Sequence, residues 1–103
     1  MKEKLEELKA LIEKDKTDFY AKHYPDITGL LLEKSITVNI RPGQKYIKID
    51  IGSSGKYMVE GLTGNIYGIK AYGVIHRGHQ YGTLDTINQY FWGDYTAQRR
   101  ANT

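Results

Sequence analysis

At Ile36 the apolar residues of this chain change period. Upstream, Leu5, Leu8, Leu11 and Ile12 recur at three- and four-residue spacing, which is the stripe of an amphipathic helix. Downstream, Ile36, Val38 and Ile40 alternate with Thr37, Asn39 and Arg41, and Ile47, Ile49 and Ile51 alternate with Tyr46, Lys48 and Asp50. That two-residue period belongs to half-buried strands. A narrow helical stripe and one-faced strands each need another element to bury against. The expectation is an α+β domain: an N-terminal helix, an antiparallel β-meander of about four strands, and a C-terminal helix packed on one sheet face.

With 103 residues the chain makes one domain. Residues 1–25 read as a helical, mixed-charge segment ended by Pro25. Residues 26–35 are a connector in which Leu30-Leu31-Leu32 suits either a short helical turn or an edge strand. The meander spans 36–75. Arg41-Pro42-Gly43-Gln44 carries a type II turn signal. Gly52-Ser53-Ser54-Gly55 is a loop, and Lys56–Glu60 a third strand. Asn65–Val74 reads as a fourth strand interrupted by Gly68 and Gly73. His76–Gly82 reads as a polar loop. Thr83 looks like an N-cap for a helix over 83–92, with Leu84, Ile87 and Phe91 on one face. Residues 94–103 read as a partly mobile tail.

Charge divides the chain. Residues 1–26 carry six Lys against seven Asp and Glu, whereas 27–103 carry nine Lys and Arg against five Asp and Glu. Seven of the nine tyrosines follow residue 45. Basic and aromatic residues together suit nucleic acid, because cations meet phosphates and rings stack on bases. The candidate binding set is Tyr46, Lys48, Lys56, Tyr67, Lys70, Tyr72, His76, Arg77, His79 and Tyr81. The sheet pleat places Tyr46 and Lys48 opposite the isoleucine face, where water or a ligand meets them. The same residue types dominate protein-binding hot spots, and rows of tyrosine also finish two-faced sheets. These three readings stay open on sequence alone.

Chemistry beyond binding has little to stand on. The chain has no cysteine, which removes disulfides, thiolate metal sites and thiol catalysis. His76-x-x-His79 can share a metal only with a third ligand from elsewhere, and no cofactor is expected. Gly52-Ser53-Ser54-Gly55-Lys56 is shorter than a P-loop and precedes a strand instead of a helix. Gly64-Asn65-Ile66-Tyr67 with Tyr72-Gly73-Val74 resembles the paired tyrosine strands of GIY-YIG nucleases. The spacing is too short, however, and the last glutamate, Glu60, precedes the motif. A non-enzymatic protein is therefore expected, with a metal-dependent nuclease as the remote alternative. No run of 18 apolar residues and no signal-like apolar core at the start are present, so no membrane association is expected.

The stretch Lys56–Glu60 followed by Thr63–Leu84, with its T-G-x-I-Y-G-I-K and Y-G-x-L segments, resembles small uncharacterised proteins of tailed bacteriophages and some other viruses. That family has no established activity. The resemblance implies a viral setting and carries over no catalytic or binding residue. Expected partners are nucleic acid, or else a host or viral protein whose binding disables a host defence factor or joins an assembly. A homo-oligomer is a further alternative. The expected location is the host cytoplasm, with the virion as the alternative.

Overall fold

Helix α1 runs from Lys2 to His23 and buries Leu5, Leu8 and Ile12 along one stripe. Lys22 and His23 lie in its last turn, where cations complement the helix dipole. The Tyr24 N–H closes the end by donating to Tyr20 O at 2.7 Å. The computed structural model describes residues 1–100. Helix α2, Gly29–Ile36, occupies the connector and buries none of its side chains.

Five antiparallel strands follow in sequence order: β1 Val38–Arg41, β2 Tyr46–Ile51, β3 Ser54–Glu60, β4 Asn65–Ala71 and β5 Val74–Thr83. The register puts Ile47, Val59 and Ile66 in one cross-strand row. Ile49 stands beside Tyr57, and Val38 beside Ile51. These residues join Leu5, Leu8 and Ile12 in a single core with Leu84, Ile87, Trp92 and Ala97. Burying such side chains contributes about 1.5–3 kcal/mol each. Strand β1 is a sheet edge, and α1 protects its start: Lys9 Nζ donates to Val38 O at 3.0 Å, and Val38 N donates to Glu13 Oε2 at 2.9 Å. Such pairing blunts an edge that would otherwise recruit another strand.

The α+β class and the N-terminal helix stand as expected, while three expected details are corrected. The meander has five strands, because the chain reverses at Tyr72-Gly73, with Gly73 at φ +77°. His76–Tyr81 therefore belongs to β5 and is no loop. Its polar residues suit an edge strand with a solvent side. Second, residues 83–92 do not form an α-helix. The Thr83 hydroxyl accepts from Asp85 N and the Thr86 hydroxyl from Thr83 N, turning the chain locally. One 3-10 turn, Ile87–Gln89, then leads into strand β6, Tyr90–Phe91. Side-chain to backbone bonds of this kind compete with helix formation. Third, residues 94–100 are tied down. Strand β7, Gln98–Arg99, pairs with β6, and Ala97 is buried. Residues 101–103 of the expected tail lie outside the described residues.

The C-terminal segment docks through buried polar contacts. Asp15 of α1, 1 % exposed, accepts from Trp92 N at 2.9 Å and from Arg100 Nη2 at 3.3 Å. The Tyr57 hydroxyl accepts from Ala97 N at 2.9 Å. Burial holds this phenol well above its ordinary pKa, so it stays protonated. Tyr57→Phe leaves the Ala97 N–H buried without an acceptor. The expected cost is about 1–3 kcal/mol, read by urea denaturation; an unchanged midpoint would show that water replaces the hydroxyl.

Candidate functional site

The candidate residues divide between the two sides of the sheet. On the face away from α1, Lys48, Met58 and Tyr67 form a cross-strand row, with Tyr46 beside Glu60. Met58 and Tyr67 are buried outside the main core, under a layer of paired side chains. The Arg77 guanidinium lies 5.7 Å from the Tyr46 ring and 5.5 Å from that of Tyr67. It also donates to the Tyr46 hydroxyl and sits 3.9 Å from Glu60 Oε2. Lys48 Nζ is 4.9 Å from the Tyr72 ring. Arg41 Nε donates to Asp50 Oδ2 at 2.7 Å, and the Tyr72 hydroxyl reaches the same oxygen at 3.4 Å. That carboxylate raises the Arg41 pKa through its hydrogen bond. The cations and rings of this face thus satisfy one another.

A different surface gathers lysines that make no salt bridge among the described residues. The ladder between β3 and β4 runs from Val59–Ile66 to Tyr57–Gly68 and stops. Beyond it Ser54–Lys56 and Ile69–Ala71 have no partner in each other. A cleft of about 680 Å³ opens there, lined by Lys56, Lys70, Tyr57, Tyr72, Tyr81, Tyr95 and His79 among others. A second cleft, of about 580 Å³, lies on the other side of the β2–β3 turn and is lined by Lys16, Lys34, Lys56, Tyr20, Ser35 and Tyr95. The two share Ser53, Ser54, Gly55, Lys56 and Tyr95. They adjoin along these shared residues and together make up a groove at the turn, and among the described residues no carboxylate lines either part.

Backbone irregularities aim the side chains. Ile49 pairs with Tyr57 but Asp50 pairs with Gly55, so Lys56 is the extra residue of a β-bulge. Bulges re-aim a side chain in this way. Gly55 permits the close approach of the next hairpin: a Cβ there would stand 2.6 Å from Tyr72 Cδ1. In β5, Tyr67 pairs with Gln80 and Gly68 with His76. The bulged residues between them send Arg77 to the outer face and His79 to the cleft.

Two lysines are held in place. Lys16 Nζ donates to Asp94 O at 2.9 Å and Lys56 Nζ to Tyr95 O at 2.9 Å. Lys56 also stands 3.7 Å from the Tyr95 ring centroid, a cation–π contact. Burial lowers the pKa of Lys16, the Lys56 charge lowers it further, and Asp94 offsets part of this. Burial alone lowers that of Lys56. His76 and His79 stack edge-to-face with ring centroids 4.0 Å apart. Partial desolvation lowers the His76 pKa, with His79 and Lys70 adding to the effect. Among the described residues, no three His, Asp or Glu side chains gather as a metal-holding group.

Of the expected set, Lys56, Lys70, His79 and Tyr81 line the groove, Tyr72 lines it while also meeting Lys48 and Asp50 of the outer face, and His76 packs against His79. Tyr46, Lys48, Tyr67 and Arg77 lie in the outer-face network. Sequence reasoning missed Lys16, Tyr20, Lys34 and Tyr95. Lys16 had a readable signal. The stripe Leu5, Leu8, Ile12 continues to Asp15 and Lys16, so charged residues occupy its inward positions. Tyr95 had none, because its segment read as a tail.

Fold and site together define a small α+β module with a cationic, tyrosine-walled groove. No family model, curated protein or solved structure matches the chain. Among the described residues, no helix is long and apolar enough to cross a membrane.

Proposed function

We propose that this protein is a small, non-enzymatic nucleic-acid-binding module of viral origin. The viral setting rests on the sequence resemblance alone. The observation that carries the binding reading is the groove: four lysines and a histidine interleaved with tyrosines, and no carboxylate among the described lining residues. Lysines there neutralise phosphates, and tyrosine rings offer stacking surfaces to unpaired bases. Single strands suit the groove better than duplex, because stacking on a ring requires an exposed base.

The test is fluorescence anisotropy with a labelled single strand of about 12 nucleotides, a length that spans one small-domain site. With three to four phosphates neutralised, log K falls against log salt with a slope of about −2 to −3. Arg77→Gln, in the outer-face network, leaves affinity within about twofold, as expected for a site that does not share partners with the groove. Absence of binding at low salt, or binding indifferent to salt, would overturn the proposal.

One observation favours protein binding as a second reading. Leu30 and Leu31 of α2 are 65 % and 61 % exposed and adjacent, on a helix that buries none of its side chains. Light scattering that gives a dimer in the wild type and a monomer in Leu30→Lys would support a self-association surface. A concentration-independent monomer in both would remove it.

A further inference from the structure

The two parts of the groove differ in what they offer. The part between the β2–β3 turn and the helices has three lysines, Lys16, Lys34 and Lys56. The part in the β3–β4 splay has three tyrosines with accessible surface, Tyr72, Tyr81 and Tyr95, over the buried Tyr57, with Lys70 and His79. One part is built for charge and the other for rings.

The charged part has an unmet electrostatic need. Lys16 and Lys56 are close enough for the charge of one to lower the proton affinity of the other. Backbone carbonyls of Asp94 and Tyr95 accept one hydrogen bond from each but bring no net charge, and the Asp94 charge offsets only part of the lowering at Lys16. Each ammonium keeps further N–H donors. Holding both side chains in place removes part of the ordering cost of gripping a ligand.

The charge of the ligand can be matched to this arrangement. A phosphodiester inside a strand carries one negative charge. A phosphate monoester carries about −1.5 to −2 near neutral pH and has three strong acceptor oxygens. Two fixed ammoniums that repel one another, with Lys34 lining the same cleft, balance the monoester. Ring surface lies directly across the turn. Tyr95 borders both parts of the groove, is 78 % exposed, and has Lys56 over its ring. A nucleoside attached to that phosphate would reach it without leaving the groove.

We infer that the Lys16–Lys34–Lys56 part of the groove is a phosphate-monoester site that seats the phosphorylated end of a nucleic-acid strand, with the terminal base against Tyr95. This inference rests on the nucleic-acid reading above and names the ligand's end group.

The experiment compares three single strands of one sequence at fixed salt, carrying a 5′-phosphate, a 3′-phosphate, or hydroxyls at both ends. A phosphoserine peptide is the fourth probe. The expected result is that one phosphorylated strand binds about tenfold tighter than the hydroxyl strand, as charge-assisted hydrogen bonds to a dianion require. Which end is preferred sets the polarity of the bound strand. The preference falls to about twofold or less in Lys16→Gln and in Lys56→Gln and survives in Arg77→Gln. Circular dichroism melting checks that each variant folds. Should Lys16→Gln fail to fold, Lys34→Gln, at an exposed position, gives the same readout with no buried side chain disturbed. Equal binding of all three strands overturns the end-group inference and leaves nucleic-acid binding standing. No binding of any strand overturns both. Tighter binding of the phosphopeptide than of every strand overturns the assignment of a nucleic-acid ligand.

Discussion

Trp92→Ala is expected to destabilise the protein by about 3–5 kcal/mol, the range for emptying a fully buried aromatic site. The melting temperature should fall by at least about 12 °C in a domain of this size. Trp92 has no exposed surface. Its ring meets Tyr57 edge-to-face at 5.3 Å and lies 5.8 Å from Tyr90. Its indole N–H donates to Ile87 O at 3.0 Å, and its backbone N–H donates to Asp15 at 2.9 Å. Truncation therefore removes the contact between the sheet, the 3-10 turn and the residues that follow, and leaves Ile87 O without its donor. Phe19→Ala is the control. Phe19 is half-buried and packs on Tyr20, His23 and Tyr24 at the exposed end of α1, away from the main core. A shift for Trp92→Ala no larger than for Phe19→Ala would show that the C-terminal segment docks independently of the tryptophan.

That dependence on one residue explains which parts of the fold were legible in the sequence. Ile47, Ile49 and Ile51 declare a strand locally, because alternation and burial coincide there. The C-terminal segment declares nothing locally. Leu84, Ile87 and Phe91 have helical spacing, yet two threonine hydroxyls bond the backbone and turn the chain, and Asp15 captures it from 77 residues away. Strand β5 was hidden by its edge position and its bulges, which interrupt the two-residue period. The groove was half legible. Lys56, Lys70, Tyr72, His79 and Tyr81 stood out by composition. Their separation from Tyr46, Lys48, Tyr67 and Arg77 depends on bulges and on where the β3–β4 ladder ends, and no residue pattern announces either. An even spread of tyrosine and lysine over one sheet face became a self-paired layer on one side and an open groove at the other.

Substituting Lys16 and Lys56 together by glutamine is expected to lower oligonucleotide affinity by about 30- to 100-fold at low salt and to flatten the salt slope by about 1.4, the share of two phosphate contacts on a single strand. The same double variant should fold with equal or greater stability. Each glutamine amide can still donate toward the carbonyls of Asp94 and Tyr95, while the desolvated, mutually repelling charges are gone. The pH dependence makes the distinction sharp. Both lysines have folded pKa values lowered from 10.5, so the unfolded chain binds protons more readily than the native one. By linkage, stability must rise with pH as the folded lysines lose their protons, up to the ordinary lysine value. Tyr57 acts in the opposite sense, since its raised pKa makes stability fall once the unfolded phenol ionises above about 10. The wild type should therefore gain stability on the alkaline side of neutrality up to about pH 10, and the double variant should lack that gain. The Asp94 charge beside Lys16 offsets part of this lowering without reversing its direction. If the variant instead loses stability along with affinity, the two lysines are structural props and the groove is not their purpose. If affinity alone collapses, the fold tolerates a buried and a half-buried cation that repel one another, at a cost that a bound anion relieves.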